Sequence, residues 1–279
     1  MKPKNTEALK YIISQASESD DLNYIDTSRI TDMSYLFEES HFNGDISKWD
    51  TSNVGDMKHM FKNSKFNGNI NQWNVSKVKN MSLMFFDSEF NQPIGAWNTA
   101  ALQNANRMFA ASQFNQPINT WNVSNLRNAE RMFRISPFNQ PLDQWDTSKL
   151  TNANAMFAYT PFDQDISQWN VDKVENFNYM FLHAAFNGDI HKWKIRSSAS
   201  GYGFLGKSHD DYLMDKTIHE AAGYKKEILD FSAKEETQIT ARGIEQILIS
   251  VTEYKQFCEY RVLKDKYATL SIHTPSQAL

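Results

Sequence analysis

All seven tryptophans of this chain stand on one ruler: Trp49, Trp73, Trp97, Trp121, Trp145, Trp169 and Trp193, each 24 residues after the last and without a single insertion. Phenylalanine keeps the same beat at Phe42, Phe66, Phe90, Phe114, Phe138, Phe162 and Phe186. A third register runs through Phe61, Phe85, Phe109, Phe133, Phe157 and Phe181, each preceded by methionine. Three aromatic registers of one period mark an internal repeat, and a period in the twenties is the signature of stacked arrays. A unit with about six apolar side chains cannot bury a core alone, so its neighbours must complete it. In weakened form the frame reaches back to Leu22, Ile25, Ile30, Met33, Leu36 and Phe37, which gives about seven units over residues 22–193.

Spacing inside a unit changes from one half to the other. Val54, Met57, Met60 and Phe61 sit at i, i+3, i+6 and i+7, which lines one face of a short helix, and Ser52 stands where an N-cap is needed. The spacing therefore predicts two or three helical turns over residues 53–62. Ser76, Ser124, Ser148 and Asp172 repeat the cap, with Ala100 as the exception. The other half, Ile46 to Thr51, is short and preceded by Gly44-Asp45 or its Gly, Asn, Gln and Pro equivalents, so a brief strand around each Trp is expected.

Polar residues keep the ruler too. An Asn follows the first Phe at Asn43, Asn67, Asn91, Asn115, Asn139 and Asn187, with Asp163 as the exception, and Asp or Asn follows each Trp from Asp50 to Asn170. Buried Asx side chains repeated at every turn can satisfy bend backbone groups and their equivalents above and below. Most of these slots are neutral Asn, whereas calcium takes several carboxylates, so a structural ladder is the expectation and no cofactor or metal is.

The pattern Phe-Asn-x-x-[Ile/Leu]-x-x-Trp-[Asp/Asn]-[Val/Thr]-Ser-x-[Val/Leu]-x-[Asn/Asp]-Met-x-x-Met-Phe resembles the BspA-like leucine-rich repeat of bacterial surface proteins and mycoplasma lipoproteins. Phe42 to Val54 follow it residue by residue, and the resemblance covers residues 22–193. It implies an α/β solenoid, a leucine-rich-repeat-like right-handed coil, with a role in adhesion or protein binding and no catalytic residues. A surface location is not supported by an N-terminal export signal or a lipidated cysteine, since only Tyr11-Ile12-Ile13 form an apolar run and Cys258 is the single cysteine. A cytoplasmic protein is expected; the alternative is a surface or secreted one whose export signal has been removed.

The organisation expected is an N-terminal capping helix within 1–21, a repeat solenoid over 22–194 and a small α-rich domain over 195–279. Leu9, Ile12, Ile13 and Ala16 line the first helix, and Ser197 to Gly203 reads as a linker. Beyond it, Tyr212–Leu229 and Thr240–Phe257 have helical spacing and Tyr260–Ile272 is mixed. Residues 195–279, with 11 Lys+Arg against 12 Asp+Glu, are neither a basic nor an acidic tail.

Catalysis finds little to work with. His219-Glu220-Ala221-Ala222-Gly223 opens like a zinc-protease helix but has Gly where the second His is required. His209, Asp210 and Asp211 lie in a charged stretch, and Cys258 falls on the apolar side of an expected helix. A net charge of -4 gives no reason for a nucleic-acid partner, and no apolar run is long enough to span a membrane. The chain reads as a non-enzymatic, protein-binding scaffold. Its sharper forms are a cytoplasmic immunity protein neutralising a cognate toxin and a bacterial surface adhesin or antigen. Repeated slots are packing slots, so binding is expected where units differ, in the pairs before each Trp. Lys48, Gln72, Asn119, Gln144, Gln168, His191 and Lys192 are the candidates, on a polar, uncharged strip.

Overall fold

The computed structural model describes residues 1–205. The helices expected at Tyr212–Leu229 and Thr240–Phe257, the mixed stretch Tyr260–Ile272, and His209, Asp210, Asp211, His219 and Cys258 lie outside the described residues. Helix α1 (Thr6–Ile13) is the only α-helix among those described. Asn5 caps it, its Oδ1 accepting from the Ala8 N–H (3.0 Å), while the neighbouring Thr6 hydroxyl donates across to the Asp32 carbonyl. Leu9 and Ile13 are buried in the same apolar cluster as the first unit, with Ile12 and Ala16 packed against it, so the apolar spacing of residues 9–16 is the face that docks.

From residue 22 onward the chain forms layers of 24 residues, stacked in parallel. Single parallel bridges join Asp32 to Asp56, Asp56 to Asn80, and so on through Asn104, Asn128, Asn152 and Asn176 to Ser200. The aromatic columns follow. Trp49 and Trp73 stack 6.4 Å apart and 1° from parallel, Phe61 and Phe85 5.5 Å apart at 3°, and Phe66 and Phe90 6.4 Å apart at 5°. Phe109 and Phe114, from two different columns, meet at 3.9 Å inside one layer. The result is one apolar cluster running from Leu9 to Leu205.

Residues 53–62 do not form the expected helix, and residues 46–51 do not form the expected strand. Layer height explains the first. A helix with its side chains is about 10–12 Å across, whereas successive rings of the Phe61 and Trp columns lie 5.3–6.4 Å apart. A chain folded at that height must send its N–H groups to the next layer instead of to its own preceding turn. Met57, His59, Phe61 and Asn63 N–H donate to the carbonyls of Asn80, Ser82, Met84 and Phe86 at 2.8–3.0 Å. The alternate N–H groups close short turns, Met60 to Met57, Lys62 to His59 and Ser64 to Phe61.

Such a run needs left-handed residues at fixed positions. His59 and Asn63 have φ of 57° and 54°, and the same two slots recur in every layer, from Tyr35 and Glu39 to Tyr179 and His183. A positive φ at the third residue of a four-residue turn is what a type II turn requires. Among the described residues glycine fills the slot only at Gly203; elsewhere ordinary side chains occupy it and the interlayer bonds hold them there.

Around each Trp the chain turns as well, the Trp49 N–H bonding the Ile46 carbonyl at 3.2 Å. Each indole N–H then reaches one layer back: Trp73 Nε1 donates to the Ile46 carbonyl (3.1 Å) and Trp121 Nε1 to that of Ile94 (3.0 Å). The Asx columns do the remaining work of satisfying a backbone without regular secondary structure. Asn67, Asn91 and Asn115 Oδ1 accept from the N–H of Asn91, Asn115 and Asn139 at 2.9 Å, one layer on. They are half-buried at the layer edge, not buried as expected. Asp50, Asn74 and Asn122 Oδ1 accept from the N–H two residues later, so the capping role expected of Ser52 belongs to the Asx residue before it.

The stack also runs past residue 194. Phe177, Tyr179 and Phe181 N–H donate to the carbonyls of Ser200, Tyr202 and Phe204 at 2.7–2.8 Å, so residues 197–203 are a further layer edge and not a linker. Phe204 and Leu205 occupy the Met-Phe slots of the ruler with the sizes exchanged, and both are buried. The Trp marker ends one half-layer before the packing does.

Candidate functional site

The pairs before each Trp fall on one edge of the stack, one pair per layer. Lys48, Gln72, Gln144, Gln168 and Lys192 hold the same slot and are exposed; His191 is exposed and Asn119 half-buried in the neighbouring slot. Lys48 and Gln72 border an open depression of about 430 Å³ with Ser47, Trp49 and Asn69. Two layers beyond Gln72, Asn119 is tied into the scaffold. Its Oδ1 accepts from the Gln144 N–H (3.0 Å) and its Nδ2 donates to Asp143 Oδ1 (2.9 Å). Gln144 Nε2 donates to the other oxygen of Asp143 at 2.7 Å. His191 bonds Asp189 of its own turn, and Gln168 the Ser167 hydroxyl. Two of the seven candidates, Asn119 and Gln144, are therefore joined in one network, while Lys48 and Gln72 share a separate depression on the same edge.

The strip is not uncharged, as the sequence led us to expect. Asp143 is held below the usual carboxylate range by bonds from Gln144 and Asn119, and Asp45 and Asp165 by the N–H and hydroxyl of Ser47 and Ser167. Asp189 is lowered by the backbone and ring of His191. With Lys48 and Lys192 at its two ends, these carboxylates make a mixed-charge edge.

A second variable surface was missed by the sequence reading. In the run of turns the apolar slots point inward, and the x positions of Met-x-x-Met-Phe-x are half-buried or exposed, except for the small Ser34, Ala110, Ala155 and Ala158, which are buried. They read Lys58, His59 and Lys62 in one layer, Ser82, Leu83 and Phe86 in the next, and Glu130, Arg131 and Arg134 further on. At one end Glu38 accepts from Lys62 Nζ (2.8 Å) and faces His59 Nδ1 (3.2 Å). Burial alone raises the Glu38 carboxyl, but the bonds from Lys62 and His59 outweigh it and leave it below its ordinary value. The signal was present, because these positions change from unit to unit. A helical reading of residues 53–62 folds them into an undifferentiated solvent face.

Among the described residues no group of His, Cys, Asp or Glu is placed to hold a metal ion, and no helix is long and apolar enough to cross a membrane. No curated protein and no solved structure matches this chain. One family model does, in four overlapping segments, residues 7–112, 56–137, 86–161 and 111–209. Overlap of this kind on one chain is what an internal repeat produces. Since the matched segments together span residues 7–209 of 279, the chain belongs to the repeat family described as Mycoplasma protein of unknown function, DUF285.

Proposed function

We propose that this chain is a non-enzymatic, protein-binding scaffold whose stacked layers form a leucine-rich-repeat-like solenoid of the BspA-like kind, coiled in the right-handed sense that the resemblance implies. One observation carries the reading: side chains that repeat are spent on stacking, and side chains that vary face outward. Trp, Phe, Met and Asx hold rings and backbone groups of the next layer, while the slot of Lys48 reads Gln72, Ala96 and Thr120 in the following layers and that of Lys62 reads Glu38, Phe86 and Arg134 in others. A rigid stack that presents unlike residues at a fixed interval offers a partner many contacts at small ordering cost.

The test is capture from the native organism's lysate and culture fluid with the full chain as bait, read by mass spectrometry. A single stoichiometric partner supports the scaffold, and a bait that captures nothing from either source overturns it. A toxin among the captured proteins, with protection of cells that make it, selects the cytoplasmic immunity role; a host or surface protein, with the chain in the surface fraction, selects the adhesin role. Loss of capture on exchanging Lys48, Gln72, Gln144, Gln168 and Lys192 for Ala would assign the contact to the tryptophan edge.

A further inference from the structure

The run of turns carries an unbalanced cluster of cations near its middle. In three successive layers the outward positions three residues apart read Arg107 and Ala110, Arg131 and Arg134, Ala155 and Ala158. Backbone bonds establish that these are neighbours. Arg107 N–H donates to the Glu130 carbonyl (2.8 Å), Ala111 N–H to that of Arg134 (2.8 Å), and Ile135 N–H to that of Ala158 (3.0 Å). The Arg134 N–H closes a turn on the Arg131 carbonyl (3.2 Å). Arg131 and Arg134 thus share one turn, with Arg107 in the adjoining layer, and the remaining adjacent positions hold buried alanines.

Partners for this charge are few. Arg131 has Glu130 at 3.5 Å, and Arg134 lies over the Tyr159 ring, 5.4 Å from its centroid. Among the described residues no carboxylate forms an ion pair with Arg107 or Arg134. The slot of Arg134 elsewhere shows how the fold neutralises a cation when it does so: three layers earlier it holds Lys62, and the adjoining layer supplies Glu38 at 2.8 Å. Around Arg134 the adjoining layers supply Ala110 and Ala158 instead. Burial first, then the charge of Arg131, push the Arg134 guanidinium below its ordinary value; Tyr159 opposes this and Arg107 adds to it more weakly. An arriving anion relieves that repulsion.

We propose that Arg107, Arg131 and Arg134 form a docking site for the carboxylate side chains of an acidic segment of a partner polypeptide. The inference rests on the scaffold reading and names the face and the partner chemistry. Guanidinium groups bind carboxylates through paired N–H donors. Layers whose Phe109 and Phe133 rings stack 5.8 Å apart set Arg107 and Arg131 at a separation that acidic side chains of one segment bridge. A protein of net charge -4 repels a long polyanion such as nucleic acid, so a short acidic segment is the ligand these charges favour.

Fluorescence anisotropy on the full chain tests this, using a labelled short poly-Asp peptide and its poly-Asn counterpart as probes. The acidic probe is expected to bind, more weakly as salt rises, and the neutral one not. Arg131→Ala with Arg134→Ala is expected to weaken binding by about thirtyfold, the loss usual for a central Arg contact. Arg134→Lys, which keeps the charge and the packing but loses the fork, is expected to weaken it less. Lys173→Ala with Lys194→Ala, two exposed cations outside both variable surfaces, leaves it unchanged, and circular dichroism of each variant confirms the fold. Equal binding of the two probes, no binding even at low salt, or equal affinity of the double Arg variant overturns the proposal. So does displacement by inorganic phosphate below the probe's own concentration, which would make this a site for a small oxyanion. A natural partner captured equally by the double Arg variant removes this site and leaves the scaffold standing. A chain that binds poly-Asp yet captures nothing fails the scaffold reading and not the site.

Discussion

Replacing Phe109 by Ala tests whether the layers are as closely packed as the ring geometry requires. Phe109 is fully buried, with Phe85 and Phe133 stacked on either side at 5.6 and 5.8 Å, Phe114 at 3.9 Å and Trp121 at 6.2 Å. Burying such a ring removes about 150–250 Å² from water, or roughly 4–6 kcal/mol at 25 cal/mol/Å², an upper figure because the unfolded chain already hides some surface. Measured Phe→Ala changes cost about 3–5 kcal/mol, depending on how far the site collapses. Collapse is resisted here. The Phe109 N–H bonds the Met132 carbonyl at 2.9 Å and the Phe85 N–H the Met108 carbonyl at 2.9 Å, so the backbone ladder holds the layers apart whatever the side chain does. The upper half of the range is expected. At about 2–4 °C per kcal/mol for a unit of this size, the melting temperature falls by about 8–20 °C. Thermal melts followed by tryptophan fluorescence and urea unfolding both read this, with Tyr11→Ala, on a residue 69% exposed, as the control within about 0.5 kcal/mol. A Phe109→Ala variant that melts with the control would mean the columns are not a packed core.

Three further outcomes follow from single columns. Ala111 has φ of 57°, where an L-residue pays about 1–2 kcal/mol, so Ala111→Gly is expected to be neutral or stabilising; Ala101→Gly, outside the left-handed slots, should cost about 0.5–1 kcal/mol, and equal urea midpoints for the two would refute the turn geometry. Asn115 Oδ1 accepts from the Asn139 N–H and from Gln140 Nε2, so Asn115→Ala is expected to cost about 1 kcal/mol, whereas Asn115→Asp keeps the acceptor and costs less, as Asp163 does in the same column. The carboxyl of Glu38 is lower in the folded protein than its ordinary 4.5, so its contribution is present above that value and lost as pH falls through the folded one. Glu38→Gln should therefore be less stable than the parent at neutral pH and converge with it in acid; a gap that persists at low pH would assign the loss to packing.

Much of the architecture was legible in the order of residues. Stacking demands that like meets like at a fixed interval, so the Trp, Phe and Asx rulers announce the repeat and its buried positions without any knowledge of the local conformation. The docking face of α1 was visible in Leu9, Ile12, Ile13 and Ala16 for the same reason. Residues 53–62 show where that ended. Their i, i+3, i+6, i+7 spacing fits one side of a helix and equally fits a run of turns with two left-handed residues per layer, because both bring Met57, Met60 and Phe61 to one side. Which of the two forms depends on where the N–H groups find acceptors, and those acceptors, such as Asn80 and Met84 for Met57 and Phe61, are a whole layer away. The end of the stack was hidden likewise, since Phe204 and Leu205 keep the packing after the Trp marker stops. Adjacency across layers also decides the surface. Arg107, Arg131, Arg134 and their flanking alanines are scattered through 52 residues of sequence, and only the layer spacing makes them one cluster of charge. Local order of residues thus sets what is buried and how often; hydrogen bonding between layers sets the backbone conformation and determines which exposed side chains act together.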